Sequence, residues 1–269
     1  MVPERSLYNG VYIPEIGFGT YTIDDDTVRA VVKEALEAGY RHIDTASIYG
    51  NERGIGQAVK DSRIPREEIF ITSKVWNTQQ GYQAALRAFD ESRRRLDTEY
   101  LDLYLIHWPK DLSLETWGAL EKLYEEGKVR SIGVSNFKIH HLQQLLDEGN
   151  MVPMVNQVEL HPQFPQLRLR RFCKKFDILL EAWAPLMQGE AFFHPLLMDL
   201  ARKYNRSVSQ IVLRWHLQTG TVPLPKTVHP GRMRENLKVY DFELFQEDMQ
   251  HIGTISGSRI GPDPDSITF

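Results

Sequence analysis

The sequence contains a single cysteine, Cys173, in 269 residues. An internal disulfide is therefore excluded, a reducing compartment suits the chain, and the cytoplasm is the expected location. Cys173 lies in the helix-like stretch RLRRFCKKF with no metal-spaced partner, and reads as structural. No apolar run approaches the ~20 residues of a membrane-spanning helix, and MVPERSLYNG lacks the apolar core of a secretory leader. Positive charge is not in excess. A net charge of −4 and a pI near 6.2 argue against nucleic acid as a partner but leave room for a local anion pocket. There is no HExxH, and the adjacent His140 and His141 are not spaced to face one metal from a helix. GFGTY and GIGQAV both miss the GxGxxG spacing of a doubly wound dinucleotide-binding sheet. Linkers and low-complexity tracts are also missing, so residues 1–269 are expected to form one domain. No repeating apolar seam asks for a second copy, and a monomer is the expectation.

What is present is an alternation. After a hairpin signal, LYNGVYIP with Asn9-Gly10 at the turn, come eight short strand-like runs: IGFGTY, RHIDTA, IFITSKVW, LDLYLIHW, VRSIGVSN, MVNQVELH, LLEAWAP and VPLPKT. Between them lie segments with apolar residues at three- and four-residue spacing, several ending at glycine (Gly39, Gly127, Gly149, Gly220). Strand then helix, eight times over, predicts an α/β fold: a (β/α)8 TIM barrel with an N-terminal β-hairpin.

In such a barrel the C-terminal ends of the strands converge on one face, which carries the chemistry. The strand-end residues are Tyr21, Asp44, Lys74, His107, Ser135 with Asn136, Gln157, Trp183 and Lys226, and Tyr49 follows just beyond Asp44. Each has an ordinary reading alone: a turn aspartate, a solvated lysine, a core histidine, a packed tyrosine. An acid, an amine, a phenol and an imidazole at one barrel end are hard to ascribe to packing, because buried charges need partners. The chemistry that uses this set is proton donation to a carbonyl. A free tyrosine, with a pKa of about 10, is a weak acid near neutrality. Asp44 is expected to hold Lys74, Lys74 to lower the pKa of Tyr49, and His107 to orient the carbonyl. The segment PKTVHPGRMREN adds Lys226, Thr227, His229, Arg232 and Asn236 around a helix start, a setting suited to a phosphate.

With these residues in view, the chain resembles the aldo-keto reductases. The matching pieces are GFGTY, GYRHIDTASIYGNERGIG, ITSKVW, YLDLYLIHWP, VRSIGVSNF, VNQVELHP, WAPL, VLRWHLQTG and PKTVHPGRMRENLKVYDFEL, in the family's order over nearly the whole length. The resemblance implies a barrel binding NADPH, and a catalytic tetrad of Asp44, Tyr49, Lys74 and His107 with Tyr49 as the proton donor. It implies that Ser135, Asn136 and Gln157 hold the nicotinamide carboxamide and that Trp183 stacks on the ring. Lys226, Thr227 and Arg232 match positions that take the 2′-phosphate, with Glu235 and Asn236 near the adenine. Tyr21, Trp76 and Trp108 match walls of the substrate pocket. Short connections after the fourth and seventh strands suggest an open pocket, as in the branch that reduces small aldehydes, dicarbonyls and keto-sugar acids such as 2,5-diketo-gluconate.

Two alternatives stay open on the residues. Lys74 could act as a Schiff-base amine in a barrel lyase, with Asp44 as proton shuttle. The chain could also be a nucleotide-binding sensor of the same fold with little turnover.

Overall fold

Two short strands, β1 (Glu4–Ser6) and β2 (Tyr12–Pro14), pair antiparallel across a turn in which Gly10 takes φ 84°. They belong to a computed structural model that describes residues 2–269. The hairpin packs over the entry end of the strands that follow. Arg5 donates to Gly220 O (3.0 Å) and Asn9 to Arg130 O (3.0 Å), both just ahead of barrel strands.

Those strands are β3 (Phe18–Gly19), β4 (His42–Asp44), β5 (Phe70–Val75), β6 (Leu103–Ile106), β7 (Ile132–Ser135), β8 (Val155–Glu159), β9 (Leu179–Trp183) and β10 (Val222–Pro223). They form an 8-stranded sheet in sequence order, every pairing parallel. Each lies buried between helices and barrel interior, which is why β6 reads LYLI without alternation. The seam closes through two glycines. Gly17 N donates to Pro223 O (3.0 Å) and Gly19 N to Pro225 O (3.1 Å). A Cβ on Gly17 would lie 2.4 Å from Leu224 Cδ2, so only glycine allows this approach. Proline is tolerated opposite because only its carbonyl is used.

The crossovers carry α1 (Asp25–Ala38), α2 (Glu52–Ser62), α3 (Tyr82–Leu96), α4 (Ser113–Glu125), α5 (Ile139–Glu148), α6 (Leu167–Lys175), α7 (Pro195–Tyr204) and α8 (Val208–Gln218). α1 starts where the Asp24 carboxylate accepts from Thr27 N (2.8 Å) and stops at Gly39, whose φ of 115° suits no other residue well. α8 opens with a Ser207–Gln210 capping box. Gly127 and Gly220 are left-handed, as a helix-stop reading expects, but Gly149 is not (φ −84°). It is glycine for space: a Cβ there would come within 2.9 Å of the Trp117 ring.

After β10 come α9 (Pro230–Leu237) and α10 (Gln246–Ile252). α10 has no counterpart in the sequence reading, since seven residues are too few to show a period. Its buried Asp248 accepts from Lys203 and from the Tyr204 hydroxyl on α7. No described helix is long and apolar enough to cross a membrane.

Candidate active site

Every strand-end residue singled out from the sequence lies at the end of the barrel opposite the hairpin. Lys74 is the centre. It is fully buried on β5, and its ammonium donates to Asp44 Oδ1 (2.7 Å), Asp44 Oδ2 (2.9 Å) and Thr45 O (2.8 Å). Burial is the largest single influence and opposes its charge, but Asp44, Tyr49 and Glu181 together outweigh it and raise its pKa. Three donors occupied and a charge held in place leave no lone pair for attack on a carbonyl, which counts against the Schiff-base alternative.

The Lys74 ammonium sits 5.2 Å from the centre of the Tyr49 ring. That ring meets His107 edge-on at 5.6 Å and Tyr21 at 5.0 Å. The expected lowering of the Tyr49 pKa is corrected here. Lys74 does act downward, but burial acts more strongly upward, Asp44 adds to it, and the phenol is pushed up to about 12. Tyr49 therefore keeps its proton at neutral pH, with the Lys74 charge opposing part of the upward shift. Burial, with the nearby Lys74 charge, pushes His107 well below its ordinary value, so it is a neutral imidazole with one N–H to donate.

The remaining polar residues interlock beside this cluster. Ser135 Oγ donates to Gln157 O (2.9 Å), and the Asn136 amide donates to His107 O (3.0 Å) and Ser135 Oγ (3.1 Å). Asn136 Oδ1 accepts from the Trp183 indole (2.8 Å), a bond with no sequence signature. Asn136 (φ 65°) and Ala184 (φ 49°) are both left-handed, so the backbone on either side of this bond is held in an uncommon shape. Trp183 is also packed from behind, since a Cβ on Gly261 would come within 2.4 Å of Cη2. The indole is a fixed, half-buried plane.

Beyond β10, Thr227 is buried while Lys226, His229 and Arg232 are exposed. A groove of about 210 Å³ runs between Phe192, Ser207, Ser209, Arg232 and Glu235. Glu235 lines it, whereas Asn236 turns with Met233 to the buried face of α9.

Two features at this face were missed in the sequence. The first is the C-terminal tail. Buried Glu159 accepts from Ile260 N and Gly261 N, and Lys138 binds Asp263 and Asp265. The tail ends with Phe269 stacked on Trp76 (5.7 Å between centres, 6° between planes) and edge-on to Trp108 (5.5 Å). Tyr21 remains 65% exposed, and Phe269 adds a fourth aromatic beside Trp76 and Trp108. The tail also brings Asp265 to His140 and His141, their ligand atoms within 4.8 Å of one another. That trio is a clasp. His141 Nδ1 accepts from Lys138 N (3.1 Å), which leaves its proton on the Nε2 that faces Asp265, and the Lys138 ammonium already holds the carboxylate. The second missed feature is Glu181, buried at zero exposure beside Gln157. An acid inside the apolar strand LLEAW was its only signal.

A family model for the aldo/keto reductases matches residues 15–192 and 193–256. The chain belongs to the aldo/keto reductase family. A glyoxal reductase of Bacillus subtilis is 52% identical to this aldo/keto reductase over 98% of the chain and 96% of the relative. The methylglyoxal reductase DkgA of Salmonella typhimurium is 44% identical over 97% of the chain and 96% of the relative. Among solved structures, a variant of Gox0644 in complex with NADPH superposes with a TM-score of 0.96 at 43% identity, covering 100% of both chains. The aldo-keto reductase MGS-M4 from a deep-sea metagenome reaches 0.97 at 46% identity, over 98% of this chain and 100% of that one.

Proposed function

We propose that this aldo/keto reductase reduces small aldehydes and α-dicarbonyls such as glyoxal and methylglyoxal, with Tyr49 as the proton donor. It is an NADPH-dependent oxidoreductase acting on carbonyl groups, and NADPH supplies the hydride. The observation that carries the proton-donor assignment is the Asp44–Lys74 pair under Tyr49, with neutral His107 at the phenol's edge. Tyr49 gives its proton to the carbonyl oxygen as negative charge develops there. The fixed Lys74 charge steadies the phenolate, and the His107 N–H orients the same oxygen. Apolar walls from Tyr21, Trp76, Trp108 and Phe269 suit compact carbonyls. The names of the glyoxal and methylglyoxal reductases support the same substrate class.

The cofactor fits the residues present. Trp183, tied to Asn136 and backed by Gly261, offers a plane for the nicotinamide ring, with Ser135, Asn136 and Gln157 beside it for the carboxamide. Lys226, Thr227 and Arg232 would take the 2′-phosphate, and Glu235 the adenosine side of the groove. Asn236, buried on α9, would act by holding that helix.

The test is loss of NADPH absorbance with methylglyoxal and with a simple aldehyde. Turnover that is weaker with NADH supports the reading. Tight NADPH binding without oxidation by any carbonyl would turn it to the sensor alternative. A second prediction isolates the phosphate site. Removing a charge-assisted bond in Arg232→Ala should weaken NADPH binding by about 10- to 100-fold and leave NADH binding unchanged. Equal loss for both cofactors, by fluorescence titration, would move Arg232 out of the phosphate site.

A further inference from the structure

Gln157 and Glu181 are register partners on β8 and β9, so their side chains enter the barrel side by side. The Gln157 Nε2 donates to Asp44 Oδ2 (2.8 Å) and to Glu181 Oε2 (2.9 Å). A side-chain amide has two N–H groups, and both are now engaged. Only Gln157 Oε1 is left to meet a ligand, and it is an acceptor, the complement of a carboxamide N–H. One of the two anchors, Asp44, is already held by Lys74. The other has no such reason to be there.

Glu181 is a costly residue for its place. It is fully buried, its Oε1 has no hydrogen bond, and the attraction of Lys74 is outweighed by burial and by Asp44. Lys74 on β5 has given its three N–H groups to Asp44 and Thr45. His42 on β4 lies 3.7 Å from Oε1, but its Nε2 is engaged with Thr72 on β5 (3.0 Å). Burial pushes His42 down to about 3, so it carries no charge near neutrality. Asp44, the other group facing Glu181, repels it, and Val222 on β10 is its apolar register neighbour. An aliphatic side chain would pack here at less cost, which leaves the bond to Gln157 as the use of this carboxyl.

Resting on the cofactor reading above, we propose that Glu181 is a positioning residue for the nicotinamide end of the cofactor. By occupying the second amide proton of Gln157 it prevents that amide from turning over, and keeps Oε1 as the atom offered to the carboxamide. Glu181→Leu leaves the amide with Asp44 as its one remaining anchor; Glu181→Gln keeps an acceptor oxygen opposite it.

The experiment compares NADPH with 2′,5′-ADP, which carries the phosphate end and no nicotinamide, by fluorescence titration and displacement. Glu181→Leu should weaken NADPH about 10-fold, the loss of one oriented hydrogen bond, and leave 2′,5′-ADP unchanged. Glu181→Gln should restore most of the NADPH affinity. Both variants should fold. Burial, then repulsion from Asp44, pushes the Glu181 carboxyl up from 4.5 to about 8. The folded state therefore holds a proton that the unfolded state releases, and stability is lost as pH rises between about 4.5 and about 8. Wild-type Tm should fall relative to Glu181→Gln across that window. NADPH affinity unchanged in Glu181→Leu, or an equal loss for 2′,5′-ADP, would overturn the proposal. Failure of the wild type to bind NADPH would instead overturn the cofactor reading, and this proposal with it.

Discussion

Tyr49→Phe should lower kcat for NADPH-dependent reduction of methylglyoxal by about 10²- to 10⁴-fold, the range a positioned general acid supplies. The substitution removes one oxygen and leaves the ring. The edge contact with His107 at 5.6 Å and the contact with Tyr21 at 5.0 Å both persist, so pocket shape and NADPH affinity should not change. The result therefore separates into a large loss in turnover and no loss in binding. Because burial pushes the phenol up to about 12, wild-type Tyr49 keeps its proton at neutral pH, and protonation state cannot explain a difference between the two proteins. Turnover that survives in Tyr49→Phe would assign the proton to another group. His107 would be the next candidate, being the nearest neutral donor.

The second large effect concerns Lys74→Met. It leaves the Asp44 carboxylate buried with only Gln157 as a side-chain donor, and breaking such a pair costs about 3–5 kcal/mol. For a chain of this size that is a fall in Tm of roughly 6–20 °C. Activity should also be lost, since no charge remains beneath Tyr49 to steady a phenolate. The two losses can be pulled apart by adding Asp44→Asn. The double variant has no unpaired charge, so it should recover most of the stability and none of the turnover. A double variant as unstable as Lys74→Met alone would mean that the lysine stem packs the barrel and that its charge is secondary. Turnover restored in the double variant would remove the charge from the mechanism altogether.

These predictions turn on residues of differing legibility. Asp44, Lys74 and His107 stood out because each ends an otherwise apolar strand, and a strand end in a parallel barrel has a fixed destination. Glu181 ends nothing. It sits within LLEAW, where the sequence does not say whether an acid faces the helices or the lumen. The register of β8 against β9 decides that, by setting it beside Gln157. Phe269 was illegible for another reason. Nothing local marks a tail residue as the neighbour of Trp76, and Asn77 accepts no such hint from sequence although it donates to Phe269 O across 192 positions. Gly149 shows the limit of glycine as a helix-stop signal: it follows α5 without a left-handed φ, and the close approach of Trp117 is what demands it.

By itself the sequence determined the hairpin, the eight strand–helix units and their order. Period, cap and turn are local properties, and eight strand–helix units with right-handed crossovers have few ways to close. It also determined which strand-end polar groups gather at one end of the barrel, because chain direction alone carries strand ends there. Only the tertiary structure decided what those groups are worth. The pKa of Tyr49 rises although its neighbour is a lysine, because burial depends on every chain segment packed around the phenol and outweighs one nearby charge. The partner of the Gln157 amide, the plane of Trp183 and the wall formed by Phe269 were decided in the same way. Each depends on contacts between segments far apart in the chain, and such contacts leave no periodicity to read.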